Sequence, residues 1–319
     1  MAEEHLRVLR RQLRPVRRDL QLATRRPRTT TGNPDRKAKF SSMEVPYIRN
    51  PDEFPAVYSY GPDSLPQADV PPGTITELKW NQSKAFPGTT RRYWIYVPAN
   101  HDEAVPAPLM VFQDGHVYLD PEGIFRTGIV FDNLIHRGEI PPVIGVFVDP
   151  GEPGNRNAEY DAFDATYADF LLNEILPNVQ ANYSISDDPN RWAICGGSSG
   201  GNCALTVAWQ RADRFRRVMS FQGSFVQIPG GNPYPSLIEI TRPKPLRIFM
   251  TAESRDLNWN QPDFNWFSSN LRVAAALAER GYNVRLVVGD AEHTLRPGGN
   301  HGAVILPDAL RWLWREETG

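Results

Sequence analysis

RWAICGGSSGGNCAL, residues 191–205, sets two serines and four glycines between two apolar runs. RWAIC reads as a buried strand and NCALTVAWQR as a helix beginning near Asn202, so the glycines and serines fall at a strand-to-helix turn. Two readings compete for such a turn: a structural corner that happens to be rich in serine, or a hydroxyl held up as a nucleophile. G-x-S-x-G between strand and helix marks a nucleophile elbow, where the serine sits in a strained turn and small neighbours keep the two backbones from colliding. The pattern fits twice, centred on Ser198 or on Ser199. Centring on Ser198 puts glycines two before, two after and three after the hydroxyl, whereas centring on Ser199 leaves Asn202 in the last of these places. Sterics favour Ser198, and the Ser199 backbone N–H then becomes a donor to an oxyanion hole.

Around this turn the runs PLMVF (108–112), PPVIGVFV (141–148), RRVMSF (216–221), PLRIFMT (245–251) and VRLVV (284–288) are short and mostly apolar. Strands buried on both faces of a parallel sheet have this character. Between them IFRTGIVFDNLIHRG, ATYADFLLNEILPNVQANY, NWFSSNLRVAAALAERGY and AVILPDALRWLWRE carry helical spacing. Upstream, TITELKW and RRYWIYVP alternate apolar and polar residues on either side of NQSKAFPGTT, as an antiparallel hairpin does. The expectation is an α/β fold: a doubly wound, mostly parallel sheet with right-handed crossovers and an N-terminal antiparallel hairpin. No internal repeat and no second domain is called for.

The 319 residues suffice for one large core, and 40% hydrophobic with 23% charged residues is a globular balance. The formal net charge of −2 gives no reason to expect a nucleic acid partner. Charge is uneven, however: residues 1–40 hold ten Arg and two Lys against Glu3, Glu4, Asp19 and Asp35, a net of +8. Leu6, Leu9, Leu13 and Leu20 fall there at helical spacing, so an anionic-surface-binding segment competes with a disordered extension, and composition favours the extension. Residues 1–43 are read as that extension, with Met43 a candidate start, and 44–319 as one domain whose proline-rich opening lies extended up to about Thr74. The arm lacks the apolar run of a signal peptide or membrane span, which gives a cytoplasmic expectation. Cys195 and Cys203 fit neither a disulfide framework nor a zinc site and read as small buried thiols.

A serine nucleophile needs a base, and the candidates are His5, His101, His116, His136, His293 and His301. Elbow hydrolases run Ser, acid, His along the chain, which leaves His293, just past the last strand, or His301, just before the final helix. Loop position favours His293, with His301 the alternative. The acid belongs after PLRIFMT, where AESRDLNWNQPD offers Glu253, Asp256 and Asp263; Asp256 is far enough on to turn back, and Glu253 is second. A second oxyanion donor is sought after PLMVF, in QDGHVY, from the N–H of Gly115 or His116. This chemistry requires no metal or cofactor.

PLMVFQDG, NRNAEY, NEILPNV, the elbow, LRIFMTAESRDLNWN, GYNVRLVVGDAEH and HGAVILPDALRWLW together resemble the enterochelin esterase-like, or esterase D-type, branch of the α/β-hydrolases, from about Gly73 to Trp314. The resemblance implies a serine esterase without a large lid, and Ser198 and Asp256 as triad members. It also implies that Arg156 and Glu159, an Arg-x-x-Glu feature counted with Trp259 and Trp266 among the substrate-binding candidates, pair behind the site or hold its loop. Trp259, Phe264, Trp266 and Phe267 would form a substrate-pocket wall or simply pack their own loop. The superfamily spans siderophore, feruloyl and acetyl esterases and acyltransferases, so the fold cannot name the substrate. The function expected is a serine carboxylic ester hydrolase acting through an acyl-enzyme on a small-molecule, polyphenol, sugar or siderophore-type ester. An acyltransferase with the same triad and a non-catalytic binding module are the alternatives.

Overall fold

A computed structural model describes residues 56–226, 231–261, 264–296 and 299–316. The basic arm, Met43, His5 and Asp263 lie outside the described residues. Eight strands form one sheet: β1 (Thr74–Trp80), β2 (Arg91–Val97), β3 (Leu109–Gln113), β4 (Ile144–Val148), β5 (Trp192–Gly197), β6 (Arg217–Phe221), β7 (Arg247–Arg255) and β8 (Asn283–Glu292). Their order is β1-β2-β4-β3-β5-β6-β7-β8. β1 and β2 pair antiparallel, β2 meets β4 antiparallel, and every later pairing is parallel. This is the mostly parallel sheet with a leading hairpin that the apolar runs predict.

The reason those runs do not alternate is visible in β3. Leu109 and Val111 enter an apolar cluster with Ile194, Leu205 and Phe170, while Met110 and Phe112 enter another with Phe131, Phe147 and Leu310. Both faces of the strand are dry, so both must be apolar. Helices cover the two faces: α1 (Gly115–Leu119), α2 (Thr127–His136), α3 (Arg156–Tyr160), α4 (Thr166–Phe170), α5 (Leu176–Asn182), α6 (Ser199–Gln210), α7 (Ser236–Ile240), α8 (Trp266–Glu279), α9 (His301–Val304) and α10 (Leu306–Trp314). Cys195 and Cys203 are free and buried, and burial pushes both thiols up from their ordinary range.

Several boundaries differ from the sequence reading, each for a local reason. The helix after the elbow begins at Ser199 rather than near Asn202, because its first turn consists of the glycines that let it press on the sheet. The long helical stretch 166–182 is interrupted by a π-helical turn, Leu171–Ile175, just before Pro177, which can neither donate to the i−4 carbonyl nor pack cleanly against it. Pro307 likewise separates α9 from α10. β7 and β8 run further than PLRIFMT and VRLVV, so Glu253 lies inside a strand instead of in a loop, and His293 directly follows one.

The 56–73 segment is pinned along its length. Asn133 Nδ2 donates to the carbonyls of Asp63 and Leu65 at 2.9 Å each, Tyr60 Oη to that of Ile124 at 2.8 Å, and Asp63 bridges Arg137 and Arg311. A second anchor is fully buried. Arg91 on β2 meets Glu159 on α3 through two hydrogen bonds, 2.6 and 3.0 Å, with both side chains 0% exposed. Glu159 also accepts from the Gly151 N–H and from Asn155 Nδ2, and the Arg91 guanidinium lies 4.3 Å from the Phe170 ring centre. Glu159→Ala would strand that cation in the interior at a cost of about 3–5 kcal/mol. Arg92→Ala, whose pair with Asp149 is half exposed, should cost less than about 1 kcal/mol; urea unfolding of the two variants measures the contrast.

Candidate active site

β5 ends on the elbow. Ser198 has φ 60° and ψ −127°, a region that L-residues avoid, at a cost on the order of 1–3 kcal/mol. Hydrogen bonds hold it there: its N–H donates to the Phe221 carbonyl at 2.9 Å, and its own carbonyl accepts from Gly201, Asn202 and Ser224. A Cβ on Gly196 would collide with the Gly200 carbonyl, and one on Gly201 would stand 2.8 Å from Ser220 Oγ. At Gly200 the nearest atom, Gln113 Cβ, would be 3.3 Å away, while at Gly197 nothing would come closer than 3.5 Å. The crowded glycines are therefore those two before, two after and three after Ser198. Ser199, by contrast, is buried in the first turn of α6, with its Oγ 3.4 Å from Ser224 Oγ.

The ends of β7 and β8 bring the acids and imidazoles together in two pairs. Asp256 Oδ1 lies 2.7 Å from His293 Nδ1; the carboxylate is 0% exposed and the imidazole 22%. The Leu257 N–H donates to the same oxygen at 2.7 Å, and Trp266 meets the His293 ring edge-on with 5.0 Å between centres. Glu253, the alternative acid, is buried and stands with His301, the alternative base: Oε1 is 3.7 Å from His301 Nδ1. That distance exceeds a hydrogen bond, and neither Glu253 oxygen has a hydrogen-bond partner among the described residues. Burial raises the Glu253 pKa, with the His301 imidazole opposing the rise.

Ser198 and His293 line one cavity of about 490 Å³, together with Val117, Tyr118, Phe125 and Phe221. His301 is not among its lining residues. Of the expected oxyanion donors, the His116 N–H is engaged, donating to Asp149 Oδ1 at 3.0 Å, whereas those of Ser199 and Gly115 have no acceptor among the described residues. Gly115 is pressed against β4, where a Cβ would stand 2.6 Å from the Phe147 carbonyl carbon.

The resemblance-based pairing of Arg156 with Glu159 does not occur. Arg156 forms two 2.8 Å hydrogen bonds to Asp114 at the end of β3, and Glu159 turns the other way, to Arg91. The two residues leave α3 in different directions, one toward the cavity and one into the core. Trp259 is half exposed, beside Arg255, and does not line the cavity; Trp266 does not line it either but packs edge-on against His293, which does. Sequence reasoning missed Asp114 and Asp149, although both stand just past the carboxyl ends of buried parallel strands, where site residues gather.

Comparison with known proteins follows the same lines. The family model described as "Putative esterase" matches residues 83–301. An iron(III) enterobactin esterase of Dickeya dadantii (strain 3937) is 29% identical over 151 residues, 47% of this chain and 33% of that protein. The chain thus spans about a third of the length of this curated relative. Among solved structures, the enterobactin esterase from Shigella flexneri in the presence of enterobactin aligns with a TM-score of 0.64 at 23% identity, covering 78% of this chain and 60% of that one. A ferulic acid esterase from the anaerobic fungus Anaeromyces mucronatus aligns at 0.63 and 18%, covering 82% and 98%. These structural matches carry the α/β-hydrolase fold.

The glycine contacts discriminate between the two registers of the motif. Gly196→Ala should lower stability by about 1–3 kcal/mol through overpacking and remove the elbow geometry. Gly197→Ala, whose Cβ would meet its neighbours at ordinary contact distances of 3.5 Å and more, should change stability by less than about 1 kcal/mol. Thermal unfolding of both variants checks this.

Proposed function

The chain belongs to the putative esterase family, and from that premise we propose that it hydrolyses carboxylic esters through an acyl-enzyme on Ser198. His293 takes the Ser198 proton as the hydroxyl attacks the ester carbonyl, then returns it to the departing alcohol. Asp256 holds the imidazole by Nδ1, so Nε2 is the nitrogen that handles the proton, and it stabilises the imidazolium formed during attack. The N–H groups of Ser199 and Gly115 receive the charge that builds on the carbonyl oxygen. Water repeats the sequence on the acyl-enzyme. The observation that carries the reading is that His293, held at 2.7 Å by the buried Asp256, lines the same cavity as the strained serine.

The aromatic lining from Tyr118, Phe125 and Phe221 favours a small ester with an aryl part. The names of the relatives, enterobactin and ferulic acid esterases, agree with that class. Ser198→Ala should reduce p-nitrophenyl acetate hydrolysis by about 10⁴-fold or more and abolish labelling by a fluorophosphonate. Ser199→Ala, which keeps the backbone donor, should retain most of the rate. Equal activity of the parent and Ser198→Ala would remove the assignment.

A further inference from the structure

The cavity holds a second imidazole with a carboxylate behind it. His116 Nδ1 lies 2.7 Å from Asp149 Oδ1, the same separation as in the Asp256–His293 pair. The His116 backbone N–H donates to that oxygen too, at 3.0 Å, so ring and main chain are clamped to one acceptor. Nδ1 therefore carries a proton in either charge state, and Nε2 makes no hydrogen bond among the described residues. The His116 side chain is 53% exposed, far more open than His293, and lines the same cavity as Ser198.

The other charged groups around it are mostly spoken for. Arg156 is bound by Asp114 through two hydrogen bonds, and Asp149 also meets Arg92 at 3.3 Å. Glu152 lines the cavity and accepts from the Gly154 N–H, and His293 faces the same space on Asp256. Asp149 raises the His116 pKa through its hydrogen bond, with Asp114 adding to the rise and burial and Arg92 opposing it. A protonated His116 then presents a charged donor to a cavity whose lining also includes Tyr118, Phe125 and Phe221.

We infer that His116 is a specificity-determining residue whose Nε2–H donates to a carboxylate on the substrate, set apart from the scissile ester. The inference rests on the ester-hydrolase reading of this cavity and names the substrate class more narrowly: esters that bear a free carboxylate. Asp149 acts as its positioning residue, fixing the ring and favouring the charged form.

Calorimetric titration of the Ser198→Ala protein with two matched pairs tests it: 3-acetoxybenzoate against its methyl ester, and monophenyl succinate against its methyl ester. In at least one pair the carboxylate should bind about tenfold more tightly, the worth of one charge-assisted hydrogen bond. The double variant Ser198→Ala/His116→Gln should lose that preference. In the single variant the preference should be full at about pH 5 and fade toward about pH 9, because the imidazolium exists only below its raised pKa. No preference in either pair, or a preference untouched by His116→Gln, overturns the inference. If the double variant does not fold, the pH series decides: a preference that stays flat with pH overturns it. Turnover of the titrant by Ser198→Ala would instead count against the nucleophile assignment, and the ratio of the two affinities still reports on His116.

Discussion

The backbone at Ser198 must take a positive φ at the end of a buried strand, and much of the surrounding sequence exists to permit it. Strain of a few kcal/mol at one residue persists only where neighbours over-determine the conformation. Here the Ser198 N–H and carbonyl are tied to β6 and its following turn, and the crowded glycines let α6 leave along the path that these bonds dictate. The parallel strands on either side have no freedom to yield, since each is packed on both faces. A rigid sheet thus turns a local backbone cost into a fixed position for one hydroxyl.

The groups gathered near this hydroxyl come from strands at both sides of it, and each is held by something buried. On one side, Arg91 and Glu159 tie the 150–160 loop to β2, which sets α3 so that Arg156 reaches Asp114. Asp114 itself has φ 55°, a second left-handed position just past a strand, and its N–H donates to the Tyr160 hydroxyl at 3.1 Å. On the other side, β7 and β8 extend past their neighbours and deliver Asp256 and His293 together. A buried ion pair is weak evidence for net stability, but it specifies which way a loop must fold.

The sheet, its leading hairpin and the elbow were legible because each rests on short-range patterning: unbroken apolar runs, alternation in TITELKW, glycine spacing around a serine. What remained hidden depends on contacts between distant residues. Arg156 and Glu159 look like an i,i+3 pair, and only the tertiary placement of Asp114 and Arg91 separates them. Trp259 and Trp266 sit in one aromatic cluster by sequence, yet one lies half exposed beside Arg255 and the other packs on His293. The extent of β7 was misread because ESR at its end is polar, although Glu253 is buried there.

The choice between the two acids and two imidazoles shows most clearly why residue type is insufficient. Glu253–His301 and Asp256–His293 have the same chemistry, but β7 and β8 lose register between Glu253 and Arg255, so residues on either side of this bulge meet different surroundings. Before it, Glu253 faces Gly289, where a Cβ would stand 2.6 Å from the His301 ring; only glycine leaves room for that pair beneath the surface. After it, the chain leaves the sheet and Asp256 reaches an imidazole that remains partly open to solvent. One pair is shut away, the Glu253 pKa raised and neither carboxylate oxygen hydrogen-bonded among the described residues, and the other is joined through Asp256 Oδ1 to an imidazole at the cavity wall. A general base must be reachable by the proton it removes, which is why the proposed function gives proton transfer to the pair at the wall and leaves the enclosed pair to the packing behind it.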